Sequence, residues 1–147
     1  MSLKLILLKK DRGFTFIETI VTISIILILS AAVGLSAMKY VERSKIAAAR
    51  NQIESFRFAL QSYMLDCGQY PTELQGLIAL WERPVLAPVP PGWDGPYLNR
   101  RVPLDPWGTE YVYRNPGDFN LPFSISSLGA DGRIGGDGSN ADIHSWD

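Results

Sequence analysis

Gly13-Phe14-Thr15-Phe16-Ile17-Glu18-Thr19 opens a run that stays apolar to Met38, with Ile, Leu, Val and Ala dominant and no charge after Glu18. At about 1.5 Å of rise per residue, a helix of about 20 such residues spans about 30 Å, the thickness of a lipid hydrocarbon core. The run predicts a transmembrane helix over 14–38. Glu18 stands out within it, because a carboxylate at the bilayer centre costs on the order of 3 kcal/mol or more and usually has a partner. Snorkelling of Glu18 into nearby water is the plainer alternative.

Upstream, residues 1–13 carry Lys4, Lys9, Lys10 and Arg12 against Asp11, a net of +3. The remaining residues carry ten basic and fourteen acidic side chains, a net of -4. A basic head, an apolar segment and a mildly acidic body predict an N-in, C-out membrane protein. A secretory signal peptide shares the basic start, but its apolar region is shorter, roughly 7–15 residues, and ends at a small-residue cleavage site. Here the distinctive small residue, Gly13, precedes the run. Cutting there removes the basic leader and leaves the helix attached.

Beyond Met38, Ile46, Ala49, Ile53, Phe56, Leu60, Tyr63 and Cys67 recur at three- and four-residue steps, one stripe of an amphipathic helix. No proline occurs before Pro71, so one helix is expected from about Phe16 to Asp66, with Gly68 as a left-handed cap. A domain packing on the stripe accounts for its small and aromatic members better than a coiled coil does. Gly34 is a place where the membrane half can weaken.

The C-terminal part reads as short pieces. Thr72-Glu73-Leu74-Gln75 is a capping box expected to open a helix to about Trp81. Five prolines from Pro84 to Pro96 predict an irregular loop. Asp105-Pro106-Trp107-Gly108 has type I turn chemistry, and residues 111–113 and 121–126 read as strands joined by a turn at 115–118. The expectation is α+β: a long N-terminal helix on a small antiparallel sheet.

Composition excludes several chemistries. Cys67 and His144 are each the sole residue of their kind, so an internal disulfide and a Cys/His zinc site are impossible within the chain. A formal net charge of -1 argues against nucleic-acid binding driven by charge. From Gly129 on, the tail holds Asp131, Asp137, Asn140, Asp142 and Asp147 with Arg133 as the one counter-charge. Crowded carboxylates on a glycine-rich loop suit a hard cation such as Ca²⁺. A solvated acidic turn is the alternative, and the spacing is not that of an EF-hand.

Lys10 to Glu18 resembles the class III signal of type IV pilins and of type II secretion pseudopilins. Three further segments resemble the major pseudopilins in particular: Tyr70-Pro71-Thr72 with Gln75-Gly76-Leu77, Asp105-Pro106-Trp107-Gly108 with Tyr111, and Ser127-Leu128-Gly129-Ala130-Asp131-Gly132. The resemblance implies a type IV pilin-like fold and a non-enzymatic, self-polymerising subunit of the pseudopilus, which drives folded proteins across the outer membrane. It further implies cleavage after Gly13 by a prepilin peptidase, N-methylation of Phe14, and Glu18 as the assembly residue, within ion-pair reach of the new amino terminus. Other implied partners are minor pseudopilins and an inner-membrane assembly platform. The resulting division is a leader over 1–13, a polymerisation helix over 14–38 and a periplasmic domain over 39–147. A structural calcium is implied in the tail, with Asp131 and Asp142 as side-chain ligands, Leu128 as a carbonyl ligand, and Asp137 and Asn140 as further candidates. A type IV pilin or a minor pseudopilin is the competing identity. Most such pilins close a C-terminal loop with a disulfide, impossible here, and minor pseudopilins at the filament tip often lack the acid that Glu18 supplies.

Overall fold

The computed structural model describes residues 13–147, apart from the side chains of 32–36. The leader therefore lies outside the described residues except for Gly13, and the side-chain surroundings of Gly34 lie outside them too. Helix α1 spans Phe16–Cys67. Gly68 follows at φ 73, and its N–H donates to the Met64 carbonyl at 2.9 Å, closing the helix as the left-handed cap requires.

Two compact units divide the chain, Met1–Lys39 and Tyr40–Asp147. In the first, the described apolar side chains of α1 are exposed on every side of the helix, Ile20, Val21, Ile23 and Ile26 among them. Among the described residues no helix is long and apolar enough to cross a membrane. The expected span over 14–38 runs through the side chains of 32–36, which lie outside that description.

The second unit is built on the stripe. Ala49, Ile53, Phe56, Leu60 and Tyr63 are buried, while Ile46 and Cys67 pack at its edges. At about 1.5–3 kcal/mol for each fully buried large apolar side chain, this face is a main source of the unit's stability. Across the core lie Leu77, Ala79 and Leu80, then Tyr113, Ile125 and Ile143 from a three-stranded antiparallel sheet. Its strands are β1 (Val112–Arg114), β2 (Ser124–Ser127) and β3 (Ile143–His144), in that order. The register sets Tyr113 against Ile125 and Ser127 against Ile143 on the core side. On the other face Val112, Ser126 and His144 form a row.

Three expectations need correction. The helix expected to reach Trp81 is a single 3₁₀ turn, Leu77–Leu80. The box itself exists: Thr72 N–H donates to Gln75 Oε1 and Gln75 N–H to Thr72 Oγ1. Gly76, at φ 59 and ψ -169, then takes the backbone out of the α region. The second strand begins at Ser124, not 121, because Leu121 is spent closing the preceding turn through its carbonyl to Gly117 N–H, and Pro122 has no N–H to give. β3 was not anticipated at all.

The expected turn at 105–108 forms, and it does more than reverse the chain. Asp105 is buried, with Oδ1 accepting from the N–H groups of Trp107 and Thr109 and Oδ2 from the Ser127 hydroxyl at 2.6 Å. The Trp107 indole donates to Glu42 on α1 at 3.2 Å. Tyr113 and Asn115 both donate to the Pro71 carbonyl, at 2.8 and 2.7 Å. The proline-rich loop has no helix or strand. It is pinned by the Gln75 amide, which donates to the carbonyls of Leu86 and Pro88, and by the Trp93 indole, which donates to Ala79.

Candidate assembly terminus and cation loop

The first turn of α1 is a reciprocal capping box. Thr15 Oγ1 accepts from Glu18 N–H at 3.3 Å, while Glu18 Oε2 accepts from both the N–H and the hydroxyl of Thr15 at 3.1 Å. Glu18 also places a negative charge in the first turn, where the helix dipole favours it. Phe14 is 84% exposed immediately before it. Farther along, Thr22 and Ser24 donate their hydroxyls to the carbonyls of Glu18 and Ile20. Those polar groups are therefore satisfied within the helix, as an apolar surrounding demands.

Thr15 went unremarked in the sequence reading. The pattern Thr-x-x-Glu at the head of an apolar run was there to be read as a capping box, the same motif recognised at Thr72.

The tail folds back on itself. Ala130 N–H donates to Ser139, and Gly135 N–H donates to Asp142 Oδ2 at 2.9 Å. A Cβ on Gly129 would meet the backbone of Asn140 and Ala141 at 2.8 Å, and Gly129 adopts φ 64, so only glycine fits where the loop closes. Leu128 and Asp142 line one cleft. Asp131, Asp137 and Asn140 are exposed. Asp131 accepts from Arg133 N–H, and Asp137 uses its carbonyl to accept from Asn140 N–H. Among the described residues, no group of three or more His, Cys, Asp or Glu side chains is gathered to hold a metal. One atom nevertheless asks for a partner: Asp142 Oδ1 is buried and has no hydrogen-bond donor. A carboxylate oxygen so placed is costly unless a donor or a cation meets it.

Residues 36–146 match the family described as type II secretion system protein G, and residues 8–34 match the prokaryotic N-terminal methylation motif. The chain is 40% identical to the type II secretion system core protein G of Pseudomonas aeruginosa, over 95% of this chain and 97% of that protein. The protein of the same description from Vibrio cholerae is 39% identical over 95% of this chain and 94% of its own length. Among solved structures, the crystal structure of the major pseudopilin from the type 2 secretion system of enterohaemorrhagic Escherichia coli is similar, with a TM-score of 0.62 and 33% identity. The match covers 74% of this chain and 92% of that one.

Proposed function

Because the chain belongs to the type II secretion system protein G family, we propose that its N-terminal helix is both its membrane anchor and the element through which it polymerises. It is a structural subunit of the pseudopilus in type II secretion, with the type IV pilin-like fold of the major pseudopilins. The observation that carries the proposal is the start of α1: apolar side chains exposed all round, with a single acid held in the first turn by Thr15.

In this reading a prepilin peptidase cuts after Gly13 and methylates the Phe14 amine. The helix stays in the inner membrane with its start at the cytoplasmic side and the domain in the periplasm. The assembly platform then draws subunits, together with minor pseudopilins, into the filament. The Glu18 carboxylate pairs with the Phe14 ammonium of a neighbouring copy, exchanging neutral donors for a charged one. Sequencing the amino terminus of membrane-extracted protein tests the cut: N-methylated Phe14 is expected, and any other first residue overturns the anchor as drawn.

A calcium ion in the tail belongs to the same reading. Calcium binds six to eight oxygens, including carbonyls and waters, so a site needs no trio of carboxylates. The donor-less Asp142 Oδ1 fits such an ion, and Leu128, the candidate carbonyl ligand, lines the same cleft. Asp131 is the next candidate ligand, followed by Asp137 and Asn140. Bound there, the ion would supply a charge that ties the two ends of the loop together, the role a disulfide fills in other small domains.

A further inference from the structure

Ser127 of β2 pairs with Ile143 of β3, so the next residues outward, Leu128 and Asp142, leave the ladder from adjoining strands. Both line one cleft. The ladder thus fixes where the Asp142 backbone sits. It does not fix which way the carboxylate turns, because the terminal torsion of an aspartate is broad.

A backbone group seven residues earlier supplies that control. Gly135 N–H donates to Asp142 Oδ2 at 2.9 Å, while Oδ1 is buried and meets no donor. The two oxygens are therefore unlike, one engaged and one available. The strap that brings Gly135 there is built of glycine. Gly135 sits at φ 92 and Gly136 at φ 101, a region that residues with a Cβ rarely adopt. A Cβ on Gly136 would stand 2.6 Å from the Asn140 carbonyl oxygen, so the strap passes directly against the chain that leads to Asp142.

Calcium takes a carboxylate on one oxygen or on two. A hydrogen bond to a ligating carboxylate sets its orientation and is worth roughly 10–100-fold in metal affinity. We propose that Gly135 is a positioning residue of the cation site: its N–H keeps Oδ2 engaged, and Asp142 meets the ion through Oδ1 alone. Asp131 is divided in the same way, since its Oδ1 accepts from Arg133 N–H. A site built from single carboxylate oxygens draws the rest of its six to eight oxygens from backbone carbonyls and water. The proposal rests on the reading that the tail binds calcium.

Calorimetric titration of the full-length protein in micelles with calcium tests it, using Gly135→Val beside Gly138→Val. Both glycines have positive φ, and a Cβ at either meets nothing within 4 Å, so valine strains the loop at both positions. Of the two, Gly135 alone holds Asp142. The melting temperature in chelator reports the strain, and calcium affinity reports the positioning. A loss of about tenfold or more is expected for Gly135→Val and of less than about threefold for Gly138→Val. Equal changes for the two variants, large or small, overturn the assignment. If Gly135→Val does not fold, the unsubstituted chain decides. An NMR coupling across the hydrogen bond, between the Gly135 nitrogen and Asp142 Cγ, is expected to persist at saturating calcium. Its disappearance on loading overturns binding through one oxygen. Absence of calcium uptake by the unsubstituted chain counts against the cation reading itself, and with it the role of Gly135.

Discussion

Glu18 has one observed duty and one proposed duty, and a substitution can separate them. As a hydrogen-bond acceptor for Thr15 it completes a capping box, and as an anion it is available to a neighbour's amine. Glutamine serves the box but carries no charge. Glu18→Gln is therefore expected to keep a helical start by hydrogen exchange in micelles, to be cleaved and inserted normally, and to lose filament assembly, as is expected of Glu18→Ala. Normal filaments from Glu18→Gln would reduce Glu18 to a cap. Asp105 is a different kind of acid. Asp105→Ala would strand the Ser127 hydroxyl, buried completely, and two N–H groups, so a loss of about 2–4 kcal/mol in chemical denaturation is expected. Asp118 offers a pH readout. Its carboxyl is held below the usual range, first by the Ser124 hydroxyl and then by the Arg114 guanidinium. A depressed folded pKa gives stability that is present above the unfolded value of about 3.9 and lost as pH falls through the folded value. The melting temperature of Asp118→Asn should accordingly lie below that of the unsubstituted chain at pH 6, with the gap narrowing as the pH falls below about 3.9. The sequence revealed Glu18 because an acid in an apolar run is conspicuous. It concealed Asp105, whose value depends on Ser127, far along the chain.

Among the elements, α1 was legible almost to the residue because its apolar period of 3.6 repeats from Ile46 to Cys67 and Gly68 ends it. Phe56 sits at the centre of that stripe, fully buried and edge-on to Tyr111 at 5.1 Å. Phe56→Ala should cost about 3–5 kcal/mol, read from the shift of the denaturation midpoint, whereas the exposed Phe58, two residues on, should tolerate alanine with little change. The short elements were less legible for a physical reason. A two-residue strand such as β3 has no periodicity to display, and its existence is decided by pairing with Ser126 and Ser127, which no local pattern announces. The turn before Leu77 misled because a valid capping signal was followed by Gly76, whose positive φ overrides it.

At the scale of the molecule, the basic head, the apolar run, the acidic body and the lack of a cysteine pair were legible in composition. The tail's geometry was not legible, because glycines at positive φ set it: Gly129, Gly132, Gly135, Gly136 and Gly138. Calorimetry tests the metal. Millimolar calcium is expected to raise the melting temperature by several degrees and chelator to reverse it, since a ligand at a hundred times its Kd adds about 2.7 kcal/mol. Asp142→Ala should abolish the response. An identical melting curve with and without chelator removes the ion from the account.

The double acceptor at Pro71 has a mechanical corollary. Traction along α1 reaches the chain beyond the helix through Gly68, and three residues later it meets two donors rooted in and just after β1. Tension arriving at Pro71 is thereby shared between two hydrogen bonds, one from within β1 and one from just beyond it. A subunit drawn by its helix, as proposed, would carry that load on both bonds at once.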